Sequence, residues 1–343
     1  MTTAPRITDV ARRAGVSPST VSYALSGKRP ISAETRRRVE AAVRELGYRP
    51  HAAARAPAGG RSGVLALLLP LRTGVHVPVV MRSVASVVTA ARAADHDVLL
   101  ITREDGELGL RRVADPALAD ALIVMDVEVH DPRLPLLRGP GRPAVLIGLP
   151  AEPDGLTCVD LDFRAAGERC VEHLAGLGHR AVALVGSPPE VYVRGTASAQ
   201  RVVRGFTAAA DRAGLVSSVH PCAATPDAAA RIAGRLLRLR PVPTGVVVHN
   251  EPLLAPLIES FERLGRRVPG DVSVAAICPD EDALAARVPV TAVGVPCADL
   301  GGSAVDLAMR ALAGSPGPAT TLLPARLTVR ASTAPPPPGG GRA

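Results

Sequence analysis

Between residues 64 and 295 the chain sets down short apolar runs at intervals, with helical stretches in many of the gaps. The runs are Val64–Leu69, Asp97–Thr102, Ala121–Met125, Ala144–Ile147, Cys158–Leu161, Ala181–Val185, Gly245–His249, Val272–Ile277 and Thr291–Val295. Helical stretches include Val80–Ala94, Ala165–Leu177, Val202–Ala213, Asp227–Leu239 and Leu253–Leu264. A strand apolar at nearly every position must be covered on both faces, so this alternation predicts parallel sheets sandwiched between helices. The series is too long for one doubly wound unit and predicts two lobes. Aromatic residues make up only 2% of the chain against 47% hydrophobic, so Ala, Val and Leu must fill the cores.

The first fifth is different. Residues 1–61 hold twelve Lys and Arg against four Asp and Glu, an excess that equals the whole chain's net charge of +8. A basic total alone could reflect base composition of the genome, but such a bias would be spread evenly. A localised excess reads as a polyanion-binding head on a neutral body.

Within that head, residues 6–47 read as three short helices. Thr8 is the expected cap of the first, over about 9–13, and Gly15 the turn after it. Ser17-Pro18 gives an N-cap followed by proline at the first helical position, where the missing N–H costs nothing. That helix runs to about Leu25. Ser32 caps a third, which ends at Leu46 before Gly47. Val10, Val16, Val21 and Leu25 are the expected small core. Ser17, Ser19, Thr20, Ser22 and Tyr23 then face outward from the second helix, a polar and largely uncharged surface suited to base edges and phosphates.

These residues carry a resemblance. The stretch ITDVARRAGVSPSTVSYALSGKRPISAETRRRVEAAVRELGYRP is similar to the headpiece of the lactose/galactose repressor family of bacterial regulators. RSGVLALLLP, VEHLAGLGHR, SAQRVVRGF, RVPGDVSV and LLPARLTVRAST follow in that family's order, so the likeness covers residues 6–333. It implies an all-α helix-turn-helix headpiece (1–50), a hinge linker (51–62) and an α/β core of two Rossmann-like lobes (63–333). That core is of the type I periplasmic-binding-protein-like kind, with the chain crossing between lobes near 158–161, 290–294 and 321–325. The Pro- and Gly-rich tail 334–343 is expected to be disordered. The implied function is transcription regulation, with repression the expected direction. A small metabolite, a sugar among the candidates, would bind between the lobes of a homodimer on double-stranded operator DNA.

Carried over by position, Pro18, Ser19 and Tyr23 read bases, while Thr20 and Ser22 touch phosphate beside the Ser17 cap. In the linker, Arg55 and Pro57 are the DNA-facing candidates. Pro57 stands where relatives place a leucine wedge, and proline inside a helix costs about 3 kcal/mol. The effector candidates are Asn250 and Glu251, then His76, Asp162, Arg194 and Arg201. Stacking aromatics are absent where His76-Val77-Pro78-Val79-Val80 stands. Val202 occupies the position of the family's sugar-binding arginine, with Arg201 beside it.

Other classes lack support. There is no phosphate-binding G-x-x-x-x-G-K-[ST], no G-x-S-x-G, no H-E-x-x-H and no G-x-G-x-x-G after the first core strand, so catalytic residues and cofactors are not expected. Five cysteines without a C-x-x-C suggest buried thiols rather than disulfides or a metal site. Neither a leader segment nor a membrane span is expected, which points to a cytoplasmic, nucleoid-associated protein. The rival reading is a constitutive DNA-architectural protein with a non-sensing core.

Overall fold

The computed structural model describes residues 6–26, 29, 31–46, 62–74, 76–102, 118–139, 142–315, 317 and 319–337. Arg55, Pro57 and the rest of the linker before Ser62 lie outside them.

The headpiece is three helices: α1 (Ile7–Ala14), α2 (Pro18–Ser26) and α3 (Ala33–Leu46). Helix α1 starts earlier than expected. Arg6 rather than Thr8 is its N-cap, because Asp9 reaches back to accept from the Arg6 amide at 2.8 Å. Gly15 takes the left-handed conformation (φ 64) that closes α1, one that costs glycine little. Ser17 Oγ accepts from Thr20 N and Ser32 Oγ from Thr35 N, so both expected caps form. The core is Val10, Ala11, Ala14, Val21, Val39 and Ala42, with Val16 packed against it. Leu25 is not in it: the side chain is 39% exposed, and Ala24 takes the inward position.

The body then runs β1 (Val64–Leu68), α4 (Val77–Ala93), β2 (Asp97–Ile101), β3 (Ala121–Val124), α5 (Leu134–Leu137), β4 (Ala144–Ile147) and β5 (Thr157–Leu161). It crosses into α6 (Phe163–Gly176), β6 (Ala181–Gly186), α7 (Pro189–Arg194), α8 (Ala197–Arg212), β7 (Val216–Pro221), α9 (Pro226–Leu236), β8 (Gly245–Val248), α10 (Leu254–Arg263), β9 (Ser273–Cys278), α11 (Asp280–Ala285) and β10 (Thr291–Gly294). It returns for α12 (Cys297–Leu312) and β11 (Thr320–Leu323), then crosses a third time into β12 (Leu327–Thr328).

One sheet is ordered β11-β5-β4-β3-β1-β2, all parallel; the other is β12-β10-β9-β8-β6-β7, parallel but for β12. The two lobes and three crossings are therefore as expected. Each sheet reverses its winding between the first two strands laid down on either side of its opening strand: β1 against β3, and β6 against β8. In open parallel sheets that reversal leaves a crevice beyond the carboxyl ends of the strands.

Helices α4 and α12 cover the first sheet through Val84, Val87 and Ala91 against Leu300, Ala304 and Leu307. Helices α6 and α8 cross so closely that a methyl on Gly205 would lie 2.0 Å from the Arg164 carbonyl oxygen, which only glycine allows. The ordered chain also reaches further than expected. Ala334, assigned to a disordered tail, donates to Ser273 Oγ and accepts from His179 Nε2, so the tail's first residue is part of the second lobe. At the other end, the Ser62 and Gly63 amides donate to Asp120, which places Ser62 in the core rather than the linker.

Candidate functional site

The residues expected to face DNA lie on α2 and its cap. Ser17, Pro18 and Ser19 are exposed at its start, while Thr20, Ser22 and Tyr23 are half-buried on the same helix. Thr20 Oγ1 lies 2.9 Å from Ser17 Oγ, so the cap holds that hydroxyl as well as the helix end. The Arg29 guanidinium sits 5.3 Å from the centre of the Tyr23 ring, a cation–π contact that restrains the phenol on the outer face. Arg13 pairs with Glu45 at 2.7 Å and braces α1 against α3.

The second site lies at the two winding reversals. The loops after β1 and β3 face those after β6 and β8 across a cavity of about 560 Å³, within the range of small-molecule sites. Of the residues singled out in the sequence, His76, Arg194, Asn250 and Glu251 line it together. Asp126, Thr196 and His249 line it too and were missed, although Asp126 directly follows the run Ala121–Met125 and His249 ends the run Gly245–His249.

Asp162 and Arg201 do not line it. Asp162 caps α6, accepting from Ala165 N at 3.1 Å. Arg201 donates to Asp160 at 2.9 Å and to Asp162 at 3.1 Å, tying the second lobe to the end of β5. Burial pushes the Asp160 carboxyl up to about 7, with Arg201 opposing. These contacts are structural, and they leave Asp162 and Arg201 apart from the four effector candidates that line the cavity. Asn250 is divided: it borders the cavity, but its amide nitrogen donates to the Gly186 and Cys222 carbonyls and ties the ends of β6 and β7 together.

Several buried polar atoms around the cavity have no hydrogen-bond partner among the described residues: His76 Nδ1, Asp126 Oδ2, Arg194 Nε, Thr196 Oγ1 and His249 Nδ1. Buried polar groups are nearly always bonded, so such a cluster marks a place where a ligand completes the set. Asp126 is aimed inward by a left-handed backbone (φ 52), held by Arg133, which donates to the Met125 and Asp126 carbonyls. Burial pushes His249 down to about 4, so its ring is neutral at physiological pH. Burial pushes the Glu251 carboxyl up to about 7, with Asp282 adding to the rise and Arg82 opposing it.

The lobes touch at the cavity's rims. Arg82 on α4 makes a bidentate pair with Asp282 on α11 at 2.7 and 2.8 Å. On the other rim Val129 N donates to Gly195 O and Ala197 N to Val127 O. No cluster of three or more His, Cys, Asp or Glu able to hold a metal occurs among the described residues. All five cysteines are buried free thiols. Among those residues no helix is long and apolar enough to cross a membrane.

Comparison with known proteins agrees with both halves. Residues 6–51 match the family described as bacterial regulatory proteins, lacI family, and residues 171–333 match the periplasmic binding protein-like domain. The HTH-type transcriptional regulator AglR of Rhizobium meliloti (strain 1021) is 30% identical over 338 residues, covering 94% of this chain and 92% of its own length. The maltose regulon regulatory protein MalI of Escherichia coli (strain K12) is 29% identical over 328 residues, covering 90% and 94%. These relatives are transcriptional regulators, not enzymes. Among solved structures, a transcriptional regulator CelR–cellobiose complex aligns with a TM-score of 0.67 at 25% identity, over 96% of this chain and 99% of that one. The lac repressor dimer bound to operator and the anti-inducer ONPF aligns with a TM-score of 0.77 at 24% identity, over 97% and 100%, a likeness of fold.

Proposed function

The chain belongs to the LacI family of bacterial regulatory proteins, and on that premise we propose that it is a repressor whose grip on its operator is set by a small molecule held between the lobes. The observation that carries this reading is the ring of unbonded, buried polar atoms that both lobes contribute to one cavity. A ligand there touches both lobes at once. It therefore favours one relative arrangement of them by its difference in affinity for the two.

DNA is read by Ser19 and Tyr23 from the major groove, with Thr20 and Ser22 on phosphate and the Ser19 amide open at the Pro18 end of α2, where Ser17 already caps Thr20 N. One headpiece spans too few base pairs for specificity, so the working unit is a homodimer on a two-fold symmetric site. Helix α4 supports that assembly: Val77, Met81 and Val88 are exposed on its outer surface. Arg55 and Pro57 act in the linker, where proline supports a shallower kink than leucine would. The protein works in the cytoplasm, on the nucleoid, without catalysis.

The test is operator affinity, on sites selected from random DNA, with and without fractionated metabolite extract. At least one fraction is expected to shift affinity, with sedimentation giving a dimer. Unchanged affinity in every fraction, or a monomer that binds the operator fully, overturns the reading.

A further inference from the structure

We propose that the ligand of the cleft is a hydroxylated amine, whose ammonium nitrogen sits between His76 and Glu251 and whose hydroxyl bridges Asp126 and Arg194. This rests on the cleft being the effector site and names the chemistry that the site selects.

Two gaps in the cavity wall carry the argument. Each lies between a residue of the first lobe and one of the second, and each is too wide for a hydrogen bond but narrow enough for one atom, set off the line joining its sides, to reach both. Asp126 Oδ2 and Arg194 Nε stand 3.8 Å apart, neither with a hydrogen bond among the described residues, while the Arg72 guanidinium lies 3.5 Å from the same carboxylate oxygen. Hydrogen bonds span about 2.7–3.2 Å, so one oxygen can reach both. It must accept from the guanidinium and donate to the carboxylate, which a hydroxyl does and an ether or carbonyl does not.

His76 Nδ1 and Glu251 Oε2 stand 3.9 Å apart, again with the ring nitrogen unbonded. Burial holds His76 below its usual range, which favours the neutral imidazole, and in the tautomer protonated at Nε2 its Nδ1 offers a lone pair. With Glu251 as carboxylate, both sides accept. A group with at least two N–H donors satisfies them, and a cationic one compensates the carboxylate as well.

That compensation is what Glu251 lacks. Both terminal nitrogens of Arg82 are committed to Asp282. Arg194 donates to the Thr73 carbonyl and otherwise faces Asp126. Among the described residues the cavity lining holds Asp126, Glu190 and Glu251 with Arg194, and Arg72 pairs with Asp126 at 3.5 Å, so an anionic ligand meets like charge at Glu190 and Glu251. Leu69, Val79, Val80, Met125 and Val191 supply aliphatic walls, and no Phe or Tyr lines the cavity among the described residues. A ligand read by its polar groups suits such walls better than one read by stacking of a flat face.

The experiment uses the full chain and matched probes that differ in one group: glucosamine and glucose, galactosamine and galactose, mannosamine and mannose, with glucuronate as the anion. Isothermal titration is run on the wild type and on Glu251→Gln, which keeps the side chain's shape; circular dichroism checks that the variant folds. In at least one pair the amine is expected to bind about tenfold tighter or better than its hydroxyl counterpart, as one charge-assisted hydrogen bond supplies. Glu251→Gln should abolish that preference. Equal or tighter binding of the hydroxyl or acid member, no binding by any amine at millimolar concentration, or a preference that survives in Glu251→Gln overturns the proposal. A neutral sugar that binds and shifts operator affinity would sink the amine and leave ligand control standing. Operator affinity indifferent to every compound and extract would sink ligand control itself.

Discussion

Arg201, on a helix of the second lobe, donates to Asp160 Oδ2 at 2.9 Å on the last strand the first lobe builds before the chain leaves it. Asp160 is buried and Arg201 nearly so, which makes this one of the few charge pairs here that solvent does not screen. Without Arg201 the buried Asp160 carboxyl, already raised to about 7, takes up a proton and bears the cost of a lost hydrogen bond rather than of a bare charge. Arg201→Ala is expected to destabilise the body by about 1–3 kcal/mol. Adding Asp160→Asn should recover more than half of the loss. Urea unfolding of both variants checks this; a loss below about 1 kcal/mol for Arg201→Ala would mean that the pair is incidental.

Glu251 gives a pH dependence of defined sign. Its carboxyl is raised to about 7 from 4.5, chiefly by burial, with Asp282 on α11 raising it further and Arg82 on α4 opposing. His76 faces it from the first lobe. As pH rises from about 4.5 to 7, the unfolded chain gives up this proton before the folded one does. The folded state then binds more protons, and stability falls with pH across that window. Glu251→Gln should therefore raise the melting temperature at pH 8 more than at pH 5. Equal shifts at both would show that the carboxyl ionises freely in the folded protein.

Asn250 looked in the sequence like a ligand contact, and the structure assigns its amide another task. With the Gly186 and Cys222 carbonyls as its acceptors, Asn250→Ala strands two buried oxygens. About 1–3 kcal/mol is expected for such orphaned acceptors. The measurement is chemical unfolding of the ligand-free protein. No change in stability, with ligand binding lost, would return Asn250 to the effector-contact role.

Tyr23 should specify sequence. Tyr23→Ala is expected to cost about 1–3 kcal/mol on the operator and to relax base preference at one position per half-site. Because Arg29 stacks on the ring, Arg29→Ala should relax the same position more weakly. Binding-site selection reads both, and an unchanged motif for Tyr23→Ala removes the residue from the reading surface.

What the sequence made legible follows from what repeats. Nine strands announced themselves as short apolar runs, eight of them largely buried and the ninth, Asp97–Ile101, an edge strand that stays apolar although it is largely exposed. The three that did not are of another kind. The strand Val216–Pro221 reads VSSVHP and lies at a sheet edge, half-exposed, so it carries no apolar run. Thr320–Leu323 is an edge strand of mixed exposure, and Leu327–Thr328 has only two residues. At the site, residue type was visible and direction was not. Arg201 and Arg194 are both effector candidates in the sequence, but only the packing of their helices turns one onto Asp160 and the other into the cleft. Asp126 and His249 could have been found, since each closes an apolar run next to a winding reversal, where such folds place their ligands.

The three crossings between the lobes have a mechanical consequence. They leave from β5, β10 and β11 and lead to α6, α12 and β12, so β5 and β11 at one margin of the first sheet meet β10 and β12 at one margin of the second. Three short tethers side by side behave as a flexure: stretching them would break ladder hydrogen bonds, whereas swivelling about their common line costs little. Displacement then grows with distance from that line. The reversal points β1/β3 and β6/β8 stand two or more strands away, so a ligand that shifts the cavity walls slightly works at the long end of a lever. The amides of Ser62 and Gly63, fixed to Asp120 at the N-terminal end of β1, place the root of the DNA-binding arm on that same moving body.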